Sequence, residues 1–234
     1  MPTIEMIELY PSPYSERLRW TLDVKGLPYT RRPYEVMVGE EELRSSTGLS
    51  TVPVLRVDGR IVGDSNAAVD WIEGKHPAPA LLPADPRARA QVRAYELAVT
   101  EALGPFARLL MIGTWKRAAG LGPLAGHFAA KYHWSEQAEL QARQVVDAFA
   151  RDLARAVAAA PYLVGDGFTR ADLTVASLAS TVLGHPDDDL FELDPGLRGM
   201  LGTEIATDPE IAPLRSWRDA IYRKHRGRRV QPAR

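Results

Sequence analysis

Four prolines fall within ten residues, at Pro77, Pro79, Pro83 and Pro86, and the chain changes character across them. Before this stretch, short runs of β-favouring residues alternate with amphipathic segments. Beyond it strand signals vanish, and Ala, Leu and Arg recur at helical spacing. Proline lacks an amide donor and holds φ fixed, so neither a strand ladder nor a regular helix runs through such a cluster, which reads as a stiff linker. The chain therefore divides into a small mixed part over residues 1–80, a linker at 81–85, a helical part over 86–226 and a short basic tail at 227–234. Its 234 residues are enough for two compact domains.

Within the mixed part, Ile4 to Tyr10 has the composition of a strand, broken by Pro11-Ser12-Pro13. From Ser15 the pattern turns helical, with Leu18 and Leu22 four apart, until Gly26 supplies a left-handed stop. Leu27 to Pro33 reads as a second strand, and two strands joined through a helix make a right-handed β-α-β crossover. Glu40 to Ser46 is a weak helix. Two apolar runs around Asp58-Gly59 signal a hairpin, and Ser65 to Lys75 follows as a helix capped by Ser65. The predicted order is βαβαββα.

In the helical part, one long helix is predicted from Pro86 towards Ala119 and a second from Ser135 to Ala159. A third starts at Thr169, where Thr169-Arg170-Ala171-Asp172 has the form of a capping box with Asp in the glutamate's place. A fourth runs from Glu210 to His225. The fold class is thus a small α/β domain followed by an all-helical one.

Composition removes whole chemistries. The chain has no cysteine, which excludes disulfides, thiolate metal sites and a cysteine nucleophile, so any sulfur chemistry must use a sulfur brought by a ligand. No spacing among His127, His133 and His185 matches a metal site, and no metal is expected. The first 80 residues carry 9 basic and 12 acidic side chains, so no strong field of one sign arises there. The six basic groups from Arg223 to Arg234 lack the breadth and interleaved aromatics of a nucleic-acid face and read as a solvated, frayed tail. The start shows no secretory pattern, and no run approaches the roughly 18 apolar residues of a membrane span. The expectation is a cytoplasmic protein that binds neither nucleic acid nor membrane.

Four segments in order, Ser12-Pro13-Tyr14-Ser15, Thr51-Val52-Pro53-Val54-Leu55, Asp64-Ser65-Asn66-Ala67-Ala68 and Gly165 to Asp172, make the chain resemble a cytosolic glutathione transferase over nearly its whole length. The resemblance implies a thioredoxin-like N-terminal domain, an all-helical C-terminal domain, glutathione as co-substrate, detoxifying conjugation and a two-fold homodimer. It places Ser12 at the family's serine-type position, where a hydroxyl at a helix start holds the glutathione sulfur as thiolate. Tyr10 is the rival, since tyrosine-type members carry their hydroxyl near the end of the first strand. Ser12 before Pro13 is also the pattern of a helix N-cap with a first-turn proline, and the two roles can coexist.

The resemblance further implies that Val52, before a cis Pro53, pairs through its backbone with the cysteinyl part of glutathione. Asp64 and Ser65 would hold the γ-glutamyl end, and Arg44, among Glu40, Glu41 and Glu42, would meet the glycyl carboxylate. Thr169 and Asp172 are structural. A hydrophobic electrophile would lie between the domains against Phe106, Leu110, Met111 and Trp115, although apolar helical spacing equally describes ordinary core. Two alternatives to conjugation stay open: a glutathione-dependent isomerase or lyase of the same family, and a homologue that binds glutathione without turnover.

Overall fold

The computed structural model describes residues 2–231. One unit runs to Pro83 and takes in Gln231, and the other covers Ala84–Val230. In the first, β1 (Ile4–Glu8) is an inner strand of a four-stranded sheet ordered β2-β1-β3-β4, with β2 at Thr30–Pro33, β3 at Val54–Val57 and β4 at Arg60–Gly63. β1 runs parallel to β2, with Glu8 opposite Pro33, and antiparallel to β3, with Ile7 opposite Val54; β4 returns antiparallel to β3. Asp58 and Gly59, at φ of +48° and +78°, form the tight β3–β4 turn.

Side chains alternate across a strand, so each face of the sheet recruits its own helices. Ile4 and Met6 pack with Leu55 and Val57 against α1 (Pro13–Val24) and α3 (Ser65–Lys75), through Leu18, Leu22, Ala68, Val69 and Ile72. Ile7 and Val54 on the opposite face meet Leu43 of α2 (Glu40–Thr47). The order is βαβαββα and the arrangement is thioredoxin-like.

Three boundaries differ from the sequence reading. β1 stops at Glu8, and α1 begins at Pro13 with Ser12 as its N-cap. β2 begins at Thr30, because Gly26 at φ +63° turns the chain and the Leu27 N–H returns to the Leu22 carbonyl at 3.0 Å. The cap of α3 is Asp64, not Ser65: its Oδ1 accepts from the N–H groups of Asn66 and Ala67 at 3.0 and 3.1 Å.

The second unit comprises α4 (Pro86–Ala98), α5 (Gly104–Arg117), α6 (Gly122–Lys131), α7 (Glu136–Ala159), α8 (Arg170–Leu178), α9 (Ser180–Leu183), α10 (Pro195–Gly199) and α11 (Ala212–Ile221). The predicted long helix is interrupted by a π turn over Val99–Leu103, where the Gly104 N–H reaches back five residues to the Val99 carbonyl. Pro105 explains the shift: it has no N–H to give Glu101 in α-register. The run Pro86–Arg117 is, among the described residues, the one helical stretch long and apolar enough to cross a membrane, contrary to the reading that no segment approaches that. Here Val92, Val99, Leu103, Ala107 and Leu110 are buried, and the run packs on α7 and α8 as a core helix. The helix α6, between Gly122 and Lys131, was not foreseen because Gly122 and Gly126 lower its helical propensity.

The basic tail is not frayed along its described length. Val230 is buried, its N–H donates to the Leu190 carbonyl, and its carbonyl accepts from Glu192 N–H, each at 2.9 Å. Residues 232–234 of that tail lie outside the described residues.

Candidate active site

Strand directions bring three of the sequence-selected segments to one edge of the sheet. The turn carrying Ser12 follows the C-terminal end of β1. Because β3 is antiparallel to β1, the residues that enter it, Val52 and Pro53, lie at that same end, where Ile7 faces Val54. β4 is again parallel to β1, so Asp64 and Ser65, which leave it, emerge there too. A direct bond ties the two helices that start at this edge: Arg17 Nη1 of α1 donates to Asn66 Oδ1 of α3 at 2.5 Å.

Each segment presents polar groups suited to an extended, charged ligand. Ser12 is half-buried, and its Oγ accepts a long bond from the Ser15 N–H at 3.5 Å, which leaves the hydroxyl hydrogen available as a donor. The Val52–Pro53 peptide is cis. Ser65 is buried, whereas Asp64 is exposed and uses one carboxylate oxygen to cap α3. The N-termini of α1 and α3 therefore both point their partial positive charge at this edge. Gly63 allows the approach: it sits at φ +136°, and a Cβ there would meet the Ala67 Cβ at 2.9 Å.

Other selected residues stand elsewhere. Arg44 is exposed on α2 and pairs with Glu40 at 3.4 Å. Leu110 and Trp115 are core residues: Leu110 has no exposed surface, and Trp115 packs with Ile112, Ala125 and Phe128 and donates its indole N–H to the Met200 carbonyl at 2.7 Å. Their apolar spacing marked the helix interior and not a ligand wall. Phe106 and Met111 are half-buried. Thr169 and Asp172 form a reciprocal box: Asp172 Oδ2 accepts from the Thr169 N–H at 2.8 Å, and Thr169 Oγ1 accepts from the Ala171 N–H at 3.2 Å. Burial pushes the Asp172 carboxyl up, against the hydrogen bonds it receives from Leu163 and Thr169.

A cavity of about 250 Å³ opens on the α2 side of the sheet, lined by Arg32, Tyr34, Val38, Glu42, Leu43 and Ser46 among others. It includes none of Ser12, Val52 or Ser65, so the chemistry of the sheet edge lies outside it. Among the described residues, no group of three or more His, Cys, Asp or Glu could hold a metal ion.

Sequence reasoning missed the charged cluster beneath the Ser12 turn. Glu8, Glu16 and Arg19 are buried, and Arg31 closes on Glu8 from β2, its Nε at 2.6 Å from Glu8 Oε1. Burial pushes the Arg19 guanidinium pKa down, and the adjacent Glu16 and Glu8 carboxylates more than reverse this, leaving it above the ordinary arginine value. One signal was present: α1 carries Glu16, Arg17 and Arg19 inside the apolar run of Leu18, Trp20 and Leu22, and charges in a helix buried all round must be paired.

The comparisons with known proteins agree with this architecture. The model of the glutathione S-transferase N-terminal domain matches residues 6–80. The chain is 30% identical over 168 residues to a probable maleylacetoacetate isomerase of Caenorhabditis elegans, an alignment covering 70% of this chain and 72% of that protein. It is 34% identical over 96 residues to a maleylpyruvate isomerase of a Ralstonia species, covering 39% of this chain and 44% of the relative. The solved theta class glutathione S-transferase of Xanthomonas axonopodis pv. citri, with glutathione bound, shares the fold at a TM-score of 0.68 and 19% identity, covering 99% of this chain and 100% of that one. From the βαβαββα unit, the cis proline at its edge and these relationships together, the chain belongs to the glutathione S-transferase family.

Proposed function

We propose that the protein is a glutathione-dependent enzyme in which the Ser12 hydroxyl donates a hydrogen bond to the glutathione sulfur and holds it as thiolate for attack on a hydrophobic electrophile. A thiol titrating near 8.5 is only about 3% ionised at pH 7, and bringing it to about 6.5 requires a differential stabilisation of ~2.7 kcal/mol. The observation that carries the reading is the convergence of Ser12, Val52–Pro53 and Asp64–Ser65 at one sheet edge beneath two helix N-termini. Ser12 can accept from Ser15 and donate to sulfur at once, so cap and donor are one arrangement.

In this reading Val52 pairs with the cysteinyl backbone, Ser65 holds the γ-glutamyl carboxylate, and the Asp64 oxygen not used in capping meets the ammonium. Arg44 meets the glycyl carboxylate, since its exposed pair with Glu40 is weak enough to be exchanged. Phe106 and Met111 supply apolar contact to the electrophile, with detoxification as the role. The protein works as a cytoplasmic homodimer, for which light scattering at micromolar concentration is the check; a monomer removes that element.

A second reading is favoured by the relatives named as isomerases: the thiolate adds to a cis double bond of a maleyl-type acid, the former double bond rotates, and the thiolate leaves again. Both readings use the same activated sulfur and differ in whether glutathione stays on the product. The deciding experiment titrates glutathione bound to the protein by its ultraviolet thiolate absorbance, then analyses products from an electrophile panel and from maleylacetoacetate. The intact protein should lower the thiol pKa and Ser12→Ala should raise it. A bound thiol that titrates like free glutathione overturns thiol activation, and loss on Tyr10→Phe in place of Ser12→Ala transfers the role to Tyr10.

A further inference from the structure

We infer that Arg19 is a positioning residue that holds the Ser12 turn in its activating geometry, an inference that rests on Ser12 being the thiol's donor. Arg19 is 1% exposed, and its guanidinium directs its donors three ways. Nε donates to Glu16 Oε2 at 2.9 Å, Nη1 donates to Glu8 Oε2, and Nη2 donates to the backbone carbonyl of Tyr10 at 2.9 Å. Glu8 is shared with Arg31, and the two guanidinium carbons lie 5.3 and 5.5 Å from the centroid of the Tyr10 ring. Two carboxylates and two guanidiniums thus balance, and the residue two before Ser12 is gripped by both its ring and its carbonyl.

Stability alone is a poor reason for this cluster. Exchanging buried ion pairs for well-packed apolar side chains is often neutral or stabilising, so the three buried charges, Glu8, Glu16 and Arg19, are not explained by stability alone. A donor aimed at a loop carbonyl is something apolar groups cannot supply. The turn is bounded by the Tyr34 N–H on the Glu8 carbonyl at 2.7 Å, the Ser12 N–H on the Leu9 carbonyl at 2.9 Å and the Glu16 N–H on the Ser12 carbonyl at 2.9 Å. Between these points, the Arg19 bond anchors Tyr10 to the sheet and to α1 together. Arg19 touches no reacting atom; it decides where the Ser12 hydroxyl points. Misplacing a catalytic group by about 1 Å can cost on the order of 100-fold in rate.

The test uses the full chain. Arg19→Lys keeps a positive charge against Glu8 and Glu16 but lacks the planar fork that also reaches Tyr10. In folded protein, kcat should fall at least tenfold, the KM for glutathione should stay within threefold, and the thiolate absorbance of bound glutathione at pH 7 should fall by half or more. Glu8→Gln, which frees the fork by removing one charge, should move the same readouts in the same direction and carries the test if Arg19→Lys does not fold. A folded variant that keeps kcat and the thiolate signal within twofold, whatever its melting temperature, overturns the inference. Ser12→Ala with an unchanged thiolate signal instead overturns the serine assignment beneath it, so the two failures are told apart.

Discussion

Beneath the β1–α1 turn, Glu8, Glu16 and Arg19 are buried together, with the half-buried Arg31 closing on Glu8; between α4 and α8, Glu96 and Arg170 are buried with Thr174. The two clusters use the same residue types and close differently. Arg170 sets Nε and Nη2 on the two oxygens of Glu96, at 2.9 and 3.0 Å, and Thr174 adds a longer bond to the same carboxylate at 3.4 Å. That fork is directed at one carboxylate, and it clamps the first residue of α8 to α4. The Arg19 fork is divided among two carboxylates and a loop carbonyl. A bidentate pair fixes two helices against each other, whereas a divided one carries the rigidity of a core out to a turn. The Arg170 cluster uses its buried charge for the fold, and the Arg19 cluster uses it beside the proposed chemistry.

The strongest way to break this contrast is to remove Arg170. Arg170→Met leaves Glu96, only 3% exposed, without its main partner, and should cost about 3 kcal/mol in urea unfolding. It should leave the thiolate absorbance of bound glutathione unchanged in the folded protein. If that signal drops as it does for Arg19→Lys, the two clusters do not have separate duties.

A smaller effect sharpens the comparison next door. Thr169→Ala deletes the acceptor for the Ala171 N–H and should lower stability by about 1 kcal/mol, seen as a lower urea midpoint at unchanged slope. Any change in the pH dependence of turnover would mean that the box reaches the site.

The smallest expected effect is electrostatic. His225 stacks on Phe168 with centroids 4.2 Å apart and lies 3.0 Å from the Tyr162 hydroxyl, and burial, with the neighbouring Lys224, pushes its pKa below the ordinary imidazole value. The unfolded chain then takes up a proton more readily than the folded one, so this contribution is fully present above about pH 6.5 and is lost as pH falls through the folded value. His225→Phe should flatten the slope of stability against pH on the acid side without moving the thiol titration. A slope that persists assigns the acid response to other groups.

Much of the fold was readable because its signals are local. Gly26, Asp58-Gly59 and Thr169 punctuate the chain by turn and cap chemistry that depends on a few neighbouring residues, and each stands at a turn or helix end. Where the structure differs, either two neighbouring residues compete for one role or a distant partner decides. Asp64 takes the α3 cap because its side chain reaches two N–H groups that Ser65, one residue later and buried, does not. Leu110 and Trp115 carry the spacing of a ligand wall and of a helix core equally, and packing chose the core. The tail looked solvated from its charge, yet Val230 bonds to Leu190 and Glu192.

By itself the sequence determined the two-part order of elements and the residue types at the Ser12 turn, the Val52-Pro53 step and the Asp64-Ser65 helix start, since periodicity and turn chemistry act over one or two helical turns. Only the tertiary structure decided that these three segments share an edge, because that follows from which strands run parallel in the order β2-β1-β3-β4. It alone decided what each buried charge does as well. Arg19 finds Glu8 eleven residues away and Arg170 finds Glu96 seventy-four away, and no local pattern encodes a partner at that distance; burial, which makes an unpaired charge intolerable, selects it.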